Sequence, residues 1–305
     1  MTKKSVIFTF DKSYHISYNQ DYFCCVGSDV LMYNRENGRL VAKLKGIRQP
    51  SCSKFMLDGR LVVKTTRGAY FIYDTETMLL LKSIPAPPKV KGSTSEFCVT
   101  EDGKYILDFS YVFPKAQFIA IEIESGICKF FDLGNARDGT ILSTELSTKY
   151  YVITDCAETI DAGDVNRREY YKLTYESGRF CLNNIFAENH TKPFILDYAI
   201  SKFFAADCNG KIKIFDIANV CHGEFEYLKD GILYDFKVSE SGRFVVLVES
   251  RNVRVYDSVN GTCVKQFDVD YGCFADFIDD TKLLIGTWEK GYCVSLEQPT
   301  PTTQV

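Results

Sequence analysis

Short apolar segments, each followed by a polar turn, recur along the whole chain. Examples are Met32-Tyr33 before Asn34 and Val255-Tyr256 before Asp257. With the turn residue as the reference, equivalent positions fall at 34, 74, 122, 174, 216 and 257, and a seventh falls at 297. The steps between them are 40–52 residues long, a period that predicts one four-stranded sheet in each repeat.

A second signal, a tight turn between two strands, lies upstream of the first in several repeats. It places a glycine after Asp or Ser, which supplies the positive φ that short hairpin turns need. Its occurrences are Asp58-Gly59, Asp102-Gly103 and Ser241-Gly242, with a looser Asp279-Asp280. Between the two signals lie continuous apolar runs such as residues 244–248, which are typical of strands covered on both faces.

A more amphipathic strand follows the polar turn in six repeats. These strands are predicted at residues 39–45, 78–84, 127–133, 179–185, 221–228 and 262–269. No helical period of useful length occurs, and 23 Phe and 19 Tyr favour strands over helices. The pattern therefore predicts an all-β fold.

Several segments resemble the repeats of the WD40 family. Residues 205–216 are similar to the end of a WD40 repeat, with Phe215-Asp216 in place of Trp-Asp, and residues 277–286 are similar to the strand pair before it. Tyr73-Asp74 and Tyr256-Asp257 also stand where the Trp-Asp pair would be. The family's Gly-His dipeptide is missing, and the sole tryptophan, Trp288, is not followed by Asp. The resemblance implies a WD40-like β-propeller of four-stranded antiparallel blades, and a role in binding proteins or peptides.

The repeat count indicates how the ring closes. The seventh repeat ends after its third strand, near residue 297, whereas the apolar segment at residues 4–10 precedes the first repeat and has no blade of its own. Placed on the outside of the seventh blade, it would complete a seven-bladed ring and remove an open edge. We therefore predict one propeller domain over residues 1–297 and a disordered polar tail at residues 298–305.

Composition and charge narrow the function classes. The 305 residues carry a net charge of −4, and acidic and basic residues are interspersed. Because no basic patch results, we expect no nucleic-acid partner. No apolar run is long enough to span a membrane, so we expect no membrane partner. The 12 cysteines lack the spacing of zinc ligands and are predicted to be mostly buried free thiols, which indicates a reducing, cytoplasmic location.

The motifs of common enzyme classes are absent from the sequence. There is no nucleophile elbow, phosphate-binding loop or dinucleotide fingerprint, so we predict a protein that is not an enzyme and has no catalytic residue, cofactor or metal site. Glu96, Asp197 and Asp235 fall in comparable register on innermost strands. Other blades place Cys52, Ser143 and Phe274 there, so water-facing lining of the channel is the favoured interpretation. The alternative is a small-molecule or metal-dependent enzyme, or a ligand-binding protein, that uses the channel mouth.

In a propeller, the loops that join one blade to the next share a face with the turns between the second and third strands of each blade; we call this the loop-rich face. The longer repeats carry insertions there, predicted as loops at residues 85–95, 111–115, 157–169 and 184–192. Loops on a rigid scaffold often carry binding sites, although drift in length would explain them equally well.

Aromatic and arginine side chains are enriched in protein interfaces, and they define a candidate protein-binding surface on this face. Its predicted members are Arg48, Arg67, Tyr111, Phe113, Arg167, Arg251 and Trp288. Trp288 lies between Gly286 and Gly291 in a tight turn and is expected to be at least partly exposed. The alternative is that its ring folds inward against the neighbouring blade.

Overall fold

The protein was analysed as a computed structural model that describes residues 5–88, 96–112, 115–134, 136–143, 150–160, 163–176, 179–190, 194–207 and 209–297. Throughout these ranges every regular element is a β-strand. The prediction of an all-β fold is confirmed. The predicted tail at residues 298–305 and much of the predicted loop at residues 85–95 lie outside the described residues.

The described ranges contain 28 strands, labelled in chain order. Those of the first half of the chain are β1 (Val6–Asp11), β2 (His15–Tyr18), β3 (Tyr22–Val26), β4 (Val30–Asn34), β5 (Leu40–Leu44), β6 (Pro50–Phe55), β7 (Arg60–Thr65), β8 (Tyr70–Asp74), β9 (Leu80–Ile84), β10 (Cys98–Val99), β11 (Tyr105–Val112), β12 (Lys115–Glu122), β13 (Cys128–Phe131) and β14 (Ala136–Ser143). Those of the second half are β15 (Tyr150–Ile160), β16 (Gly163–Glu176), β17 (Arg179–His190), β18 (Phe194–Ala199), β19 (Lys202–Asp207), β20 (Lys211–Phe215), β21 (Cys221–Glu226), β22 (Leu233–Val238), β23 (Phe244–Glu249), β24 (Asn252–Asp257), β25 (Cys263–Asp268), β26 (Gly272–Asp279), β27 (Lys282–Thr287) and β28 (Lys290–Ser295).

The strands form seven antiparallel sheets of four, which are the blades of a propeller. Blades 1 to 6 are β2–β5, β6–β9, β10–β13, β14–β17, β18–β21 and β22–β25, each with its strands in sequence order. Blade 7 is β26, β27, β28 and then β1, which pairs antiparallel with β28 from Val6 opposite Val294 to Asp11 opposite Lys290. The predicted closure of the ring by the N-terminal strand is therefore confirmed.

The two recurrent turn signals have direct structural causes. Gly59, Gly103 and Gly242 adopt φ values of 85°, 66° and 69° in the turns between first and second strands. In the turns between third and fourth strands, the side chain of Asp74 accepts the backbone N–H of Glu76 at 3.1 Å and of Thr77 at 2.6 Å. An aspartate that caps its own turn in this way explains why the signal repeats.

The hydrophobic core consists of seven clusters, one between each pair of neighbouring blades. At the closure of the ring, Phe10 of β1 meets Phe23 of blade 1 edge-on, with ring centroids 5.3 Å apart. Phe23 in turn stacks on Tyr33 at 5.0 Å. The first strand thus supplies core side chains as well as backbone hydrogen bonds to the seventh blade.

Tyrosines at the ends of third strands tie neighbouring blades together. The hydroxyl of Tyr73 in blade 2 donates to the carbonyl of Lys45, just after the last strand of blade 1, at 2.6 Å. In blade 6 the hydroxyl of Tyr256 accepts the N–H of Leu228 at 3.0 Å, in the link from blade 5. These phenols stand where the family's tryptophan would be, and they reach the inter-blade links without a histidine relay.

The insertions in blade 4 differ from the prediction. Residues 157–169 and 184–192 were expected to be loops, but most of them continue the strands β15, β16 and β17. Ile160 pairs with Gly163, and Arg167 pairs with Asn189. In blade 3 the predicted loop at residues 111–115 is similarly shortened, because Val112 already pairs with Lys115. Hydrogen bonding between extended strands satisfies the backbone there, so the added length extends the sheet.

Among the described residues, one buried ion pair joins blades 2 and 3 and another lies within blade 6. Lys64 Nζ is 2.6 Å from Asp108 Oδ2, and the side chains are 0% and 2% exposed. Tyr70 also donates its hydroxyl to Asp108, so blades 2 and 3 share one satisfied polar cluster. In blade 6, Arg254 lies 2.6 Å from the buried carboxylate of Glu249. Such pairs are expensive to break, because removing one partner leaves a charge in the interior.

The ten cysteines whose side chains the structure describes are all free thiols. Five of them are buried: Cys24, Cys25, Cys52, Cys98 and Cys293. The expectation that most are buried is too strong, because the outermost strands β17, β21 and β25 expose Cys181, Cys221 and Cys263.

Candidate functional site: the central channel and its mouth

A cavity of about 520 Å³ follows the axis of the ring. The innermost strand of most blades contributes to its wall, including β2, β6, β18, β22 and β26. Glu96, Asp197 and Asp235 all line it, so their predicted position in the channel is correct. Their surroundings are more structured than a simple water-facing lining, because a lysine lies among them.

Lys237 is the central charge of the channel. It lies on β22 in blade 6, and its Nζ is 3.0 Å from Oε1 of Glu96, which precedes β10 in blade 3. Blades 6 and 3 lie on opposite sides of the ring, so this ion pair crosses the channel. The acidic neighbours Glu96, Asp197 and Asp235 raise the pKa of Lys237 well above its usual value despite burial. In return, Lys237 holds the pKa of Glu96 down to about 2.

His15 is held neutral beside this pair. Its Nδ1 accepts the backbone N–H of Ser53 at 3.3 Å, and its Nε2 faces Glu96 at 4.0 Å. An imidazolium would need a second proton on Nδ1, pointing at the Ser53 N–H. Burial lowers the pKa of His15 to about 4, and this effect exceeds the opposing attraction of Glu96. At neutral pH the channel therefore contains an uncharged imidazole.

The aspartates of the channel are oriented by backbone N–H groups. Asp197 accepts from Val238 at 2.7 Å, in the next blade, and Asp235 accepts from Ala275 at 3.1 Å, in the blade after that. Burial raises the pKa of Asp235 to about 6, even though Lys237 acts in the opposite direction. Burial also raises the pKa of Asp197. These carboxylates link adjacent innermost strands and keep the channel negative.

The sequence prediction missed the other four charged members of the channel. Lys54, Lys237, Glu240 and Asp276 line it beside the three predicted acids. The available signal was the alternation Asp235-Phe236-Lys237, since residues two apart on a strand share a face. Within the described residues, no three His, Cys, Asp or Glu side chains are grouped to hold a metal ion.

The loop-rich face surrounds one mouth of this channel, and Trp288 lies on it. The side chain of Trp288 is 60% exposed in the turn between β27 and β28. Its ring lies 5.6 Å from that of Tyr14, in the link from blade 7 to blade 1. The backbone N–H of Trp288 donates to the carbonyl of Tyr271 at 3.2 Å, in the link from blade 6 to blade 7. The predicted exposure of Trp288 is correct, and the inward-folded alternative is wrong.

The predicted arginines are distributed around the same face. Arg48 lies in the link between blades 1 and 2, Arg67 in the adjacent turn of blade 2, and Arg251 in the corresponding turn of blade 6, and all three are exposed. The first two loops are joined by the N–H of Thr66, which donates to the Gln49 carbonyl at 2.9 Å. The third is joined to the link before blade 7, because the Arg251 carbonyl accepts the N–H of Val269 at 2.9 Å.

The other predicted members are placed differently. Arg167 lies within β16, half-buried, and pairs with Glu169 at 3.1 Å, so it is a strand residue of the extended blade. Tyr111 lies on β11, close to the turn between the second and third strands. Phe113 lies outside the described residues.

Sequence reasoning missed three exposed tyrosines on the loop-rich face. Tyr14, Tyr234 and Tyr271 are exposed residues of the blade-to-blade links or of the innermost strand that follows a link. Together with Trp288 we call them the aromatic rim. Tyr14 and Tyr234 also line the channel cavity. A useful signal was an aromatic residue within the short polar segment before an innermost strand, as in Asp270-Tyr271-Gly272.

Comparison with known proteins identifies the architecture. No protein-family model matches the sequence, and no curated protein matches it. Among solved structures, the C-terminal WD40 domain of Sif2 is similar, with a TM-score of 0.66 and 12% sequence identity over 96% of this chain and 98% of that chain. The described residues contain no helix with the length and apolar character needed to cross a membrane. Seven four-stranded blades, ring closure by the first strand and this structural match show that the protein is a WD40-like seven-bladed β-propeller.

Proposed function

We propose that the protein is a non-catalytic interaction scaffold that binds another protein or a peptide on its loop-rich face. The exposed Trp288, whose ring lies 5.6 Å from that of Tyr14, is the observation that carries the proposal. Large aromatic side chains on the rigid loops of a scaffold are the residues that most often dominate binding energy. The propeller fold alone does not establish the function, so the proposal rests on this surface.

The enzyme alternative has less support. A metal-dependent reaction at the channel mouth would need carboxylates free to approach a divalent cation. Glu96 is already paired with Lys237 at 3.0 Å, Asp197 and Asp235 accept backbone N–H groups, and no three such side chains are grouped to hold a metal ion within the described residues. We therefore assign the channel a role in binding and propose no catalytic residue.

We also propose that the protein works in a reducing compartment such as the cytoplasm. Cys181, Cys221 and Cys263 are exposed thiols on outermost strands. Exposed thiols persist where glutathione and thioredoxin keep them reduced.

Partner capture by variants of the full chain tests the function. Trp288→Ala should abolish recovery of a partner that the unchanged protein recovers from its source cell, and should leave the melting temperature nearly unchanged. Val259→Ala is the matched control, because Val259 is 87% exposed in a turn on the opposite face. Equal recovery by all three proteins would exclude the Trp288 surface as the binding face.

A further inference from the structure

We propose that the partner inserts a basic side chain, arginine or lysine, into the channel mouth while its backbone rests on the aromatic rim. This inference rests on the proposed function, since it names the partner group that the same face accepts. It combines two features of the mouth, its excess negative charge and its exposed aromatic rings.

The charge of the channel favours a cation. Five carboxylates line the cavity, those of Glu96, Asp197, Asp235, Glu240 and Asp276. The lining lysines are Lys54 and Lys237. With His15 neutral, five negative and two positive groups give the wall a formal charge of −3. Low-dielectric walls focus such a field within a cleft and raise the local concentration of positively charged groups.

Asp235 is the carboxylate best placed to meet an entering cation. It follows Tyr234 directly, so a carboxylate and a rim aromatic are consecutive residues at the mouth. Its Oδ2 is oriented toward blade 7 by the N–H of Ala275. The pKa of Asp235 is raised because burial and the neighbouring Glu96 both disfavour its negative charge. A guanidinium or ammonium group at the mouth would relieve that cost.

The rim supplies a surface for the remainder of such a side chain. Cations bind over the faces of tyrosine and tryptophan within about 6 Å of the ring centroid. The methylene stems of arginine and lysine pack against apolar surface, while their charged ends stay in a polar environment. Tyr14 and Tyr234 border the cavity itself, and Trp288 contacts Tyr14. An acidic side chain would meet the same rings but would be repelled by the channel charge.

Short peptides test the inference directly. The probes are acetylated and amidated Gly-Ala-X-Ala-Gly peptides in which X is arginine, lysine, norleucine or glutamate, titrated at millimolar concentration against the full chain. The readouts are the fluorescence of Trp288, the only tryptophan, and peptide NMR line widths. We expect the arginine or lysine peptide to bind about tenfold more tightly than the norleucine peptide, which corresponds to about 1.4 kcal/mol. The glutamate peptide should bind weakest, and the arginine and lysine arms identify which cation is preferred.

A charge variant and its control complete the experiment. Asp235→Asn should remove most of the preference for the basic peptide over norleucine, whereas Asp21→Asn, on the opposite face, should leave that preference intact. Absence of binding by both basic peptides, or equal binding of the norleucine peptide, would overturn the inference. If Trp288→Ala abolishes partner capture while Asp235→Asn does not weaken it, the binding face stands and the basic-side-chain proposal fails. If neither substitution changes capture, both proposals fail.

Discussion

Lys237 and Glu96 join opposite sides of the propeller, with Nζ and Oε1 3.0 Å apart across the central channel. The two residues are 141 positions apart in the chain, and neither belongs to a recognisable motif. Their contact depends on seven blades closing to the correct circumference, which brings blade 6 opposite blade 3. The pair also affects the carboxylates around it, because Lys237 lowers the pKa of Glu96 and opposes the burial that raises the pKa of Asp197 and Asp235.

His15 should make the protein less stable as the pH falls from about 6.5 to 4. Its folded-state pKa is lowered from 6.5 to about 4, so the unfolded chain binds the proton more tightly. The contribution of the neutral His15 to stability is therefore complete above pH 6.5, and it is lost as the pH falls toward 4. Between pH 7 and pH 4, the unfolding free energy of His15→Gln should fall by about 2–3 kcal/mol less than that of the unchanged protein.

Urea unfolding at a series of pH values measures this difference. The groups around His15 are Glu96, Lys237 and Lys54. Asp235 acts in the opposite direction, because its raised pKa of about 6 adds stability as the pH falls. The comparison with His15→Gln cancels that contribution. Identical pH profiles for the two proteins would show that the imidazole titrates normally.

The buried pair between blades 2 and 3 should be costly to break. Asp108→Asn leaves the Lys64 ammonium without its charged partner in the interior, and we expect a loss of about 3–5 kcal/mol of unfolding free energy. Replacing both residues with apolar ones of similar size should restore much of that loss. The matched control is Glu224→Gln, which breaks the 2.9 Å pair with Lys211 on the surface and should cost much less, because solvent screens an exposed pair. Similar losses at the two sites would contradict the assigned burial.

The tyrosine contacts between blades should each contribute measurably to stability. Tyr73→Phe removes only the hydroxyl that donates to the Lys45 carbonyl, so we expect a loss of about 0.5–1.5 kcal/mol in chemical denaturation. Tyr271→Phe is the control, because Tyr271 is exposed on the aromatic rim. No change for Tyr73→Phe would mean that water replaces the phenol at no cost.

The N-terminal strand should be required for a monomeric ring. Deletion of residues 2–10 removes the pairing partner of β28 and exposes an edge that can pair with other chains. We expect aggregation in light scattering. A finer test is Phe10→Ala, which empties a buried site and should cost about 3–5 kcal/mol, against Ile7→Ala on the same strand, where the side chain is 47% exposed. A deletion variant that stays monomeric with unchanged melting would contradict the closure.

Tryptophan fluorescence should report the exposed state of the rim. Since Trp288 is the only tryptophan and 60% of its side chain is exposed, its emission should resemble that of tryptophan in water and be quenched readily by acrylamide. Tyr14→Ala should increase the quenching further, because it removes the ring 5.6 Å away. Blue-shifted emission that resists quenching in the free protein would contradict this surface.

The sequence was sufficient to predict the elements that local chemistry determines. Turns such as Asp58-Gly59 and Asp74 repeat because a positive φ and a self-capping carboxylate are needed in every blade. Counting these turns left residues 4–10 without a blade, and this count alone predicted the closure of the ring. Trp288 was predicted to be exposed from its tight turn and glycine neighbours.

Other features depend on how distant segments meet, and the sequence pattern could not show them. Lys64 follows an apolar run and resembles the solvated end of a strand, although its partner Asp108 lies in the next blade. The polar residues 157–169 weaken the apolar alternation that marks a strand, so they resembled a loop. Their strand structure follows from the pairing of β15 with β16 and of β16 with β17, which the pattern within one strand does not show.

The position of β1 affects the synthesis of the protein. β1 is synthesised before every other strand of the propeller, yet its partner β28 lies about 280 residues later in the chain. At roughly 5–20 residues per second, β1 must wait about 15–60 s before it can pair. Blades 1 to 6 can form in order during that time, while the apolar side chains of β1, including Phe10, remain uncovered. The last step of folding is therefore the pairing of β1 with β28. The chain most needs protection from aggregation during the interval before this step.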